Sequence, residues 1–235
     1  MRKIERRFPL EADDRDALLG LPNMVRRVVA GAHIVRDGDR PEHCTALVSG
    51  FAYRHKITGE GGRQIMSVHI RGDFLDLQNS LLPVADHNVQ ALSAAEVAFI
   101  PREAIRELAM QRPAVAAALW FDTLVDASVF REWVVNVGRR DARTRVAHLL
   151  CEFFARLEAA GLASDHRYDL PMTQEQLADA VGLTSVHVNR VLRQLGEEGL
   201  IKRERRDIVI LDWDRMRHVA GFNDRYLHLA SVGNG

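Results

Sequence analysis

The chain has 235 residues, 47% hydrophobic and 27% charged, enough for one large or two small domains with proper cores. Its 32 basic and 32 acidic residues cancel, which excludes a polycation holding nucleic acid by bulk charge. Two distant cysteines, Cys44 and Cys151, exclude a disulfide framework or a Cys-rich metal site and point to a reducing cytoplasm.

The opening MRKIERRFPL is charged and lacks an apolar stretch, so it does not read as a signal peptide. No uninterrupted apolar run of about 18 residues marks a membrane span. From Thr45 to Phe74, short alternating runs punctuated by glycines predict strands, with Gly59–Gly62 (GEGG) as a hairpin turn. NVQALSAAEVAFIPR adds one or two more before Pro101. Several short strands at regular spacing predict a small sandwich or jelly-roll barrel.

Helical periodicity takes over from Arg102 to about Val137. Between Pro113 and Gly138 the bulky residues, including Trp120, Leu124, Val125 and Val129, point nearly all round the axis. Such a helix must be buried on more than one side. One side would cover the barrel and the other would meet the same helix of a second chain, with those four residues at the seam; the alternative is a central helix in a monomer's core. After Gly138, a basic hinge runs into a further amphipathic helix, RRDARTRVAHLLCEFFARL.

MTQEQLADAVGLTSVHVNRVLRQLGEEGLIKR, Met172 to Arg203, is a helix pair. Thr173 and Gln176 form a capping box, Gly182 makes the turn, and Thr184 caps the second helix. Val188, Val191, Leu192 and Leu195 give that helix its buried stripe. Its free face carries Ser185, Val186, His187, Asn189, Arg190 and Arg193, as a helix entering a major groove requires. LIKRERRDIVIL then reads as a hairpin with a basic tip, Lys202, Arg203, Arg205 and Arg206, suited to phosphate. Between Arg139 and His218 there are 14 basic and 13 acidic residues, so this region too works by pattern and not by bulk charge.

This order of barrel, long apolar helix and winged helix-turn-helix resembles the Crp/Fnr family of bacterial transcription regulators. The resemblance covers nearly the whole chain and is carried by GDFLDLQNSLL, AEVAFIP and TQEQLADAVGLTSVHVNRVLRQLGEEGLI. It implies an α+β fold: a cyclic-nucleotide-binding-like β jelly-roll barrel over 1–110, a dimerisation helix over 111–138, and a winged helix-turn-helix domain over 139–235. It further implies a cytoplasmic homodimer on a palindromic promoter site, with double-stranded DNA and RNA polymerase as partners, no membrane, and the barrel as sensor. Thr173 and Gln174, at the start of the first helix of the pair, complete the expected DNA-binding set.

Departures from the family pattern restrict the effector. The family's pocket would be lined by Gly72, Asp73, Phe74, Ala85 and Asp86. Members that bind cyclic AMP have an Arg-Ser pair at the last two positions, and a carboxylate there repels a phosphate. Iron–sulfur members use N-terminal cysteines, and none precedes Cys44. Haem on His33, His55, His69 or His87 is an alternative, but a lone histidine is far more often structural; no cofactor is expected. The recognition helix also departs: where well-known members have a Glu and a second Arg, this chain has Val186 and Ser185, while Arg190 matches the family's retained arginine. Arg190 suits guanine or a phosphate, and Val186 suits a thymine methyl. No G-x-S-x-G, H-E-x-x-H, Walker loop or dinucleotide fingerprint supports an enzyme. The residues Ser164 to His166 are consecutive, so they read as a polar loop and not a triad. A helix-turn-helix that binds protein instead of DNA is the remaining alternative, distinguished by salt dependence.

Overall fold

The computed structural model describes residues 8–229; the charged N-terminal stretch lies largely outside them. The described chain divides into two compact units. The first runs to Lys56 and resumes over Met66–Ala127; the second combines Ile57–Ile65 with Ser128–Leu229.

Mainly in the first unit, a short helix, α1 (Ala12–Leu19), precedes seven strands: β1 (Met24–Val28), β2 (His33–Val35), β3 (His43–Ser49), β4 (Ala52–Ile57), β5 (Arg63–His69), β6 (Asn88–Ala91) and β7 (Ala95–Pro101), the end of β4 and the start of β5 falling in the second. They form two sheets, ordered β1-β7-β3 and β2-β6-β4-β5. The ladders of β7 with β1 and β3 are antiparallel, placing Met24 and Thr45 both opposite Phe99. Alternation along β3 and β7 turns Leu47 and Val97 inward, where they pack with Val35, Ala52, Leu75, Ala85, Val89 and Ala95. The expected GEGG turn forms, with Thr58 N donating to Gly62 O at 2.8 Å. Gly50 is obligatory: φ is +79°, and a Cβ there would lie 2.4 Å from Ala94 O.

The predicted helical stretch is two helices, α2 (Arg102–Gln111) and α3 (Pro113–Arg139), separated at Arg112. Proline disfavours helical backbone in the residue before it, which accounts for the break. Along α3, Val115, Ala118, Leu119, Val125, Val129, Trp133 and Asn136 are buried within the chain. The opposite side is open: Trp120 is 69% exposed, Val134 54%, Leu124 52% and Phe130 48%. Of the four residues expected at a seam between copies, two lie on the covered side. Val125 and Val129 project to the covered side, so only Trp120 and Leu124 of the four remain free, joined by Phe130 and Val134. By length and composition alone α3 is also long and apolar enough to cross a membrane, and 28% of its most apolar stretch is buried in the chain. Asp122, Asp126, Arg131 and Glu132 interrupt its sequence, which is why no unbroken apolar run is legible.

In the second unit α4 (Ala142–Ala159) is the central helix, buried continuously from Val146 to Leu157. Asp141 caps it, accepting from Thr144 N at 2.9 Å. Around it lie β8 (Arg167–Asp169), α5 (Gln174–Val181), α6 (Ser185–Glu197), β9 (Ile201–Glu204), β10 (Asp207–Ile210) and α7 (Trp213–Ala220). The sheet order β8-β10-β9 adds a third strand to the expected hairpin. Glu152, fully buried on α4, is satisfied by Trp133 Nε1 at 3.1 and 3.0 Å, Tyr226 OH at 2.8 Å and Arg156 Nη1 at 3.4 Å. Burial pushes its carboxyl pKa up, opposed chiefly by Arg156.

Candidate nucleic-acid interface

The α5–α6 pair forms as its sequence dictates. Thr173 Oγ1 accepts from Gln176 N at 3.2 Å, and Gln176 Oε1 accepts from Thr173 N at 2.8 Å. Gly182 ends α5 in the left-handed region at φ 64°, and Thr184 caps α6 by accepting from His187 N at 3.3 Å. The carbonyl end of α5 is held by Arg145 Nη1, which donates to Val181 O at 3.2 Å. These contacts fix the angle at which α6 leaves the turn.

Val188, Val191, Leu192 and Leu195 anchor α6. At 100° per residue, Val186, Arg190 and Arg193 fall on the opposite side, and all three are exposed, Val186 by 69%. Ser185 is exposed beside the cap. His187 and Asn189 lie on opposite flanks and are half-buried. Asn189 Nδ2 donates to Gln174 Oε1, so these two residues act as a pair.

The wing β9–β10 pairs Ile201 with Ile210 and Glu204 with Asp207. Both isoleucines and Ile208 are buried, so the polar side chains turn outward. Lys202 Nζ lies 2.8 Å from Glu204 Oε1, and that carboxylate holds the lysine pKa above its ordinary value. The two form an exposed ion pair on the outer face of the wing. Arg203 is half-buried and donates from Nε to Arg205 O at 3.1 Å. Arg205 and Arg206 form the exposed turn, Arg205 at φ 57°. They are the wing's outermost cations.

Of the residues expected at an effector pocket, Gly72, Asp73, Phe74 and Ala85 make contacts within the barrel. Gly72 N donates to Leu47 O at 2.8 Å, with φ +91°. Asp73 is buried, accepting from Ile70 N at 3.2 Å, with His69 Nδ1 3.6 Å away. Phe74 bridges to Ala46, and Ala85 sits in the barrel core. Asp86 points outward, its side chain 74% exposed and 2.7 Å from His87 Nδ1; that hydrogen bond lowers the Asp86 pKa. Burial, with Arg54 opposing protonation, pushes the His69 pKa down to about 4. Of the histidines weighed for haem, His33 is exposed while His55, His69 and His87 are buried. Among the described residues no group of three or more His, Cys, Asp or Glu side chains is placed to hold a metal.

Sequence reasoning missed α1, α7 and β8. The eight residues of α1 have little amphipathic pattern, and three-residue β8 is too short for a period of two to register. Its signal was the turn before it: Asp165 and His166, both at positive φ, lie within the polar loop Ser164–His166.

A β-sandwich of this topology, joined by a long helix to a winged helix-turn-helix, defines a DNA-binding transcription regulator. Residues 144–219 match the Crp-like helix-turn-helix domain, and residues 25–112 match the cyclic nucleotide-binding domain. The chain is 28% identical over 200 residues to the transcriptional activator protein FnrL of Cereibacter sphaeroides, covering 83% of this chain and 80% of that one. It is 26% identical over 212 residues to the transcriptional activator protein Anr of Pseudomonas aeruginosa, covering 90% and 86%. The solved structure of FixK2 from Bradyrhizobium japonicum superimposes with a TM-score of 0.80 at 25% identity, covering 86% of this chain and all of that one. The chain belongs to the Crp/Fnr family of transcription regulators.

Proposed function

We propose that the protein acts as a homodimer on a palindromic promoter site in the cytoplasm, with RNA polymerase as a further partner. In this reading residues 1–110 are a sensor-like domain, 111–138 the dimerisation helix and 139–235 the DNA-binding domain. Arg190, Arg193, Ser185 and Val186 face the major groove, with His187 and Asn189 at its edges. Thr173 and Gln174 meet phosphate at the start of α5, while Arg205 and Arg206, more than Lys202 and Arg203, do so from the wing. The observation that carries this is the outward face of α6: two unburied arginines and a valine opposite a fully buried stripe. Trp120, Leu124, Phe130 and Val134 on the open side of α3 support a seam between two copies. A lipid contact fits less well, because Arg131 projects from the same side and the other side is already covered. The effector, where one is used, is not an anionic nucleotide held in the family's usual way, since Ala85 and Asp86 offer a phosphate no cation.

The test is a duplex-DNA titration of the full chain at two salt concentrations. DNA binding through phosphate-contacting arginines requires affinity to fall steeply with salt. An affinity for duplex that is absent, or indifferent to salt, favours a protein partner for α6 instead.

A further inference from the structure

One side-chain pair ties the two helices of the motif together on their exposed edge. Asn189 lies on the flank of α6 beside α5, and its Nδ2 donates to Gln174 Oε1. Gln174 is the first residue of α5, directly after Thr173, so the capping box fixes its backbone. Both side chains are half-buried, reachable by a large ligand yet limited in freedom.

The hydrogen-bond inventory of the pair decides what remains for a ligand. Asn189 uses one of its two N–H groups, keeping Oδ1 and the second N–H. Those are the two groups an asparagine needs to accept from adenine N6 and donate to adenine N7. Gln174 keeps both N–H donors, which suit a phosphate oxygen. With the amides reversed, Asn189 Oδ1 would turn towards Gln174 and its Nδ2 would stand where adenine N6 needs an acceptor.

We propose that Gln174 is a positioning residue that sets Asn189 to read one adenine in each half-site while its own amide donates to the DNA backbone. This rests on the DNA-binding reading above. Specificity at that base pair then depends on a residue of α5 as much as on the recognition helix.

Selection of bound sequences from a random duplex pool tests it, using the full chain and variants whose folding is checked by circular dichroism. Asn189→Ala lowers the adenine preference at one base pair of each half-site by about tenfold. Gln174→Glu keeps the acceptor and removes the donors, so the same adenine is selected while affinity falls for all sequences alike. Gln174→Arg offers only donors and turns the Asn189 amide around. It loses the adenine preference at the same base pair as Asn189→Ala, and combining the two produces no further loss. A Gln174→Arg protein that still selects the adenine overturns the proposal, as does an Asn189→Ala protein with an unchanged motif. A wild-type chain that selects no motif refutes the DNA-binding reading itself, and the positioning role falls with it.

Discussion

Replacing Leu124 by glutamate tests the seam on α3. Leu124 is 52% exposed in the single chain, so about half of its side-chain surface is available to a partner. Full burial of a leucine contributes about 1.5–3 kcal/mol, so half contributes about 1 kcal/mol. Two-fold symmetry doubles this to about 2 kcal/mol per dimer. Desolvating two introduced carboxylates at the seam adds at least as much again, by about 1–3 kcal/mol each. The sum is about 4 kcal/mol, or roughly a thousandfold in dimer dissociation constant. Sedimentation equilibrium reads this directly: the wild type is dimeric at micromolar concentration and Leu124→Glu is monomeric, with an unchanged melting curve at low concentration. Val125→Glu is the contrasting variant, because Val125 is only 3% exposed and is covered by its own chain. It lowers the melting temperature of the protomer. A wild type that is monomeric and well folded, or a Leu124→Glu that still dimerises, refutes the assigned seam.

On the recognition surface, Arg190→Ala weakens binding to the selected site by about 1–3 kcal/mol and relaxes base preference. Arg205→Ala and Arg206→Ala weaken all sequences alike and reduce the salt slope by about one each, whereas Lys202→Ala does less because Glu204 already occupies its ammonium; titrations across salt concentration check both. Asp76 is buried, accepts from Thr45 N at 2.6 Å, and has its pKa pushed up to about 6 by desolvation. The folded chain therefore binds more protons than the unfolded one between about pH 4 and 6, and the Asp76 carboxylate costs stability as pH rises through that window. Asp76→Asn is more stable than wild type at pH 7, by up to about 3 kcal/mol, and the advantage vanishes below pH 4. His69, pushed down to about 4, and His148, to about 3, act in the opposite sense and lose stability in acid, but both cancel in this difference. Chemical denaturation of the two proteins across pH reads it, and a pH-independent difference contradicts the assignment. Cyclic AMP in large excess leaves the melting temperature unchanged; a ligand at a hundredfold excess over its dissociation constant would add about 2.7 kcal/mol, so a saturable rise sinks the exclusion.

What the sequence disclosed followed from how local each cause is. The capping box at Thr173 and Gln176, the left-handed Gly182 and the stripe Val188–Leu195 are set by neighbours within four residues, and all are legible in one pass. The basic hairpin was legible for the same reason, but its ion pair Lys202–Glu204 was not, because spacing does not say which cation keeps a free hand. The open side of α3 was half legible. Periodicity showed α3 to be apolar all round, while which side the chain itself covers depends on packing remote in sequence, and Val125 and Val129 fell on the covered side. The Gln174–Asn189 pair joins positions fifteen apart across a turn, beyond the reach of any single-helix pattern. Likewise Arg54 reaches Asp126 on α3 and Arg63 donates to Asp179, contacts that only the folded chain creates.

The central claim is sequence-specific recognition of duplex DNA by two symmetric copies of α6. Selection from a random duplex pool with the full chain tests it most directly. The account predicts an inverted repeat whose half-site centres lie about one helical turn, 10–10.5 base pairs, or a multiple of it apart, and which Arg190→Ala no longer enriches. A pool that remains random, or a single asymmetric motif bound equally well by Arg190→Ala, would contradict it.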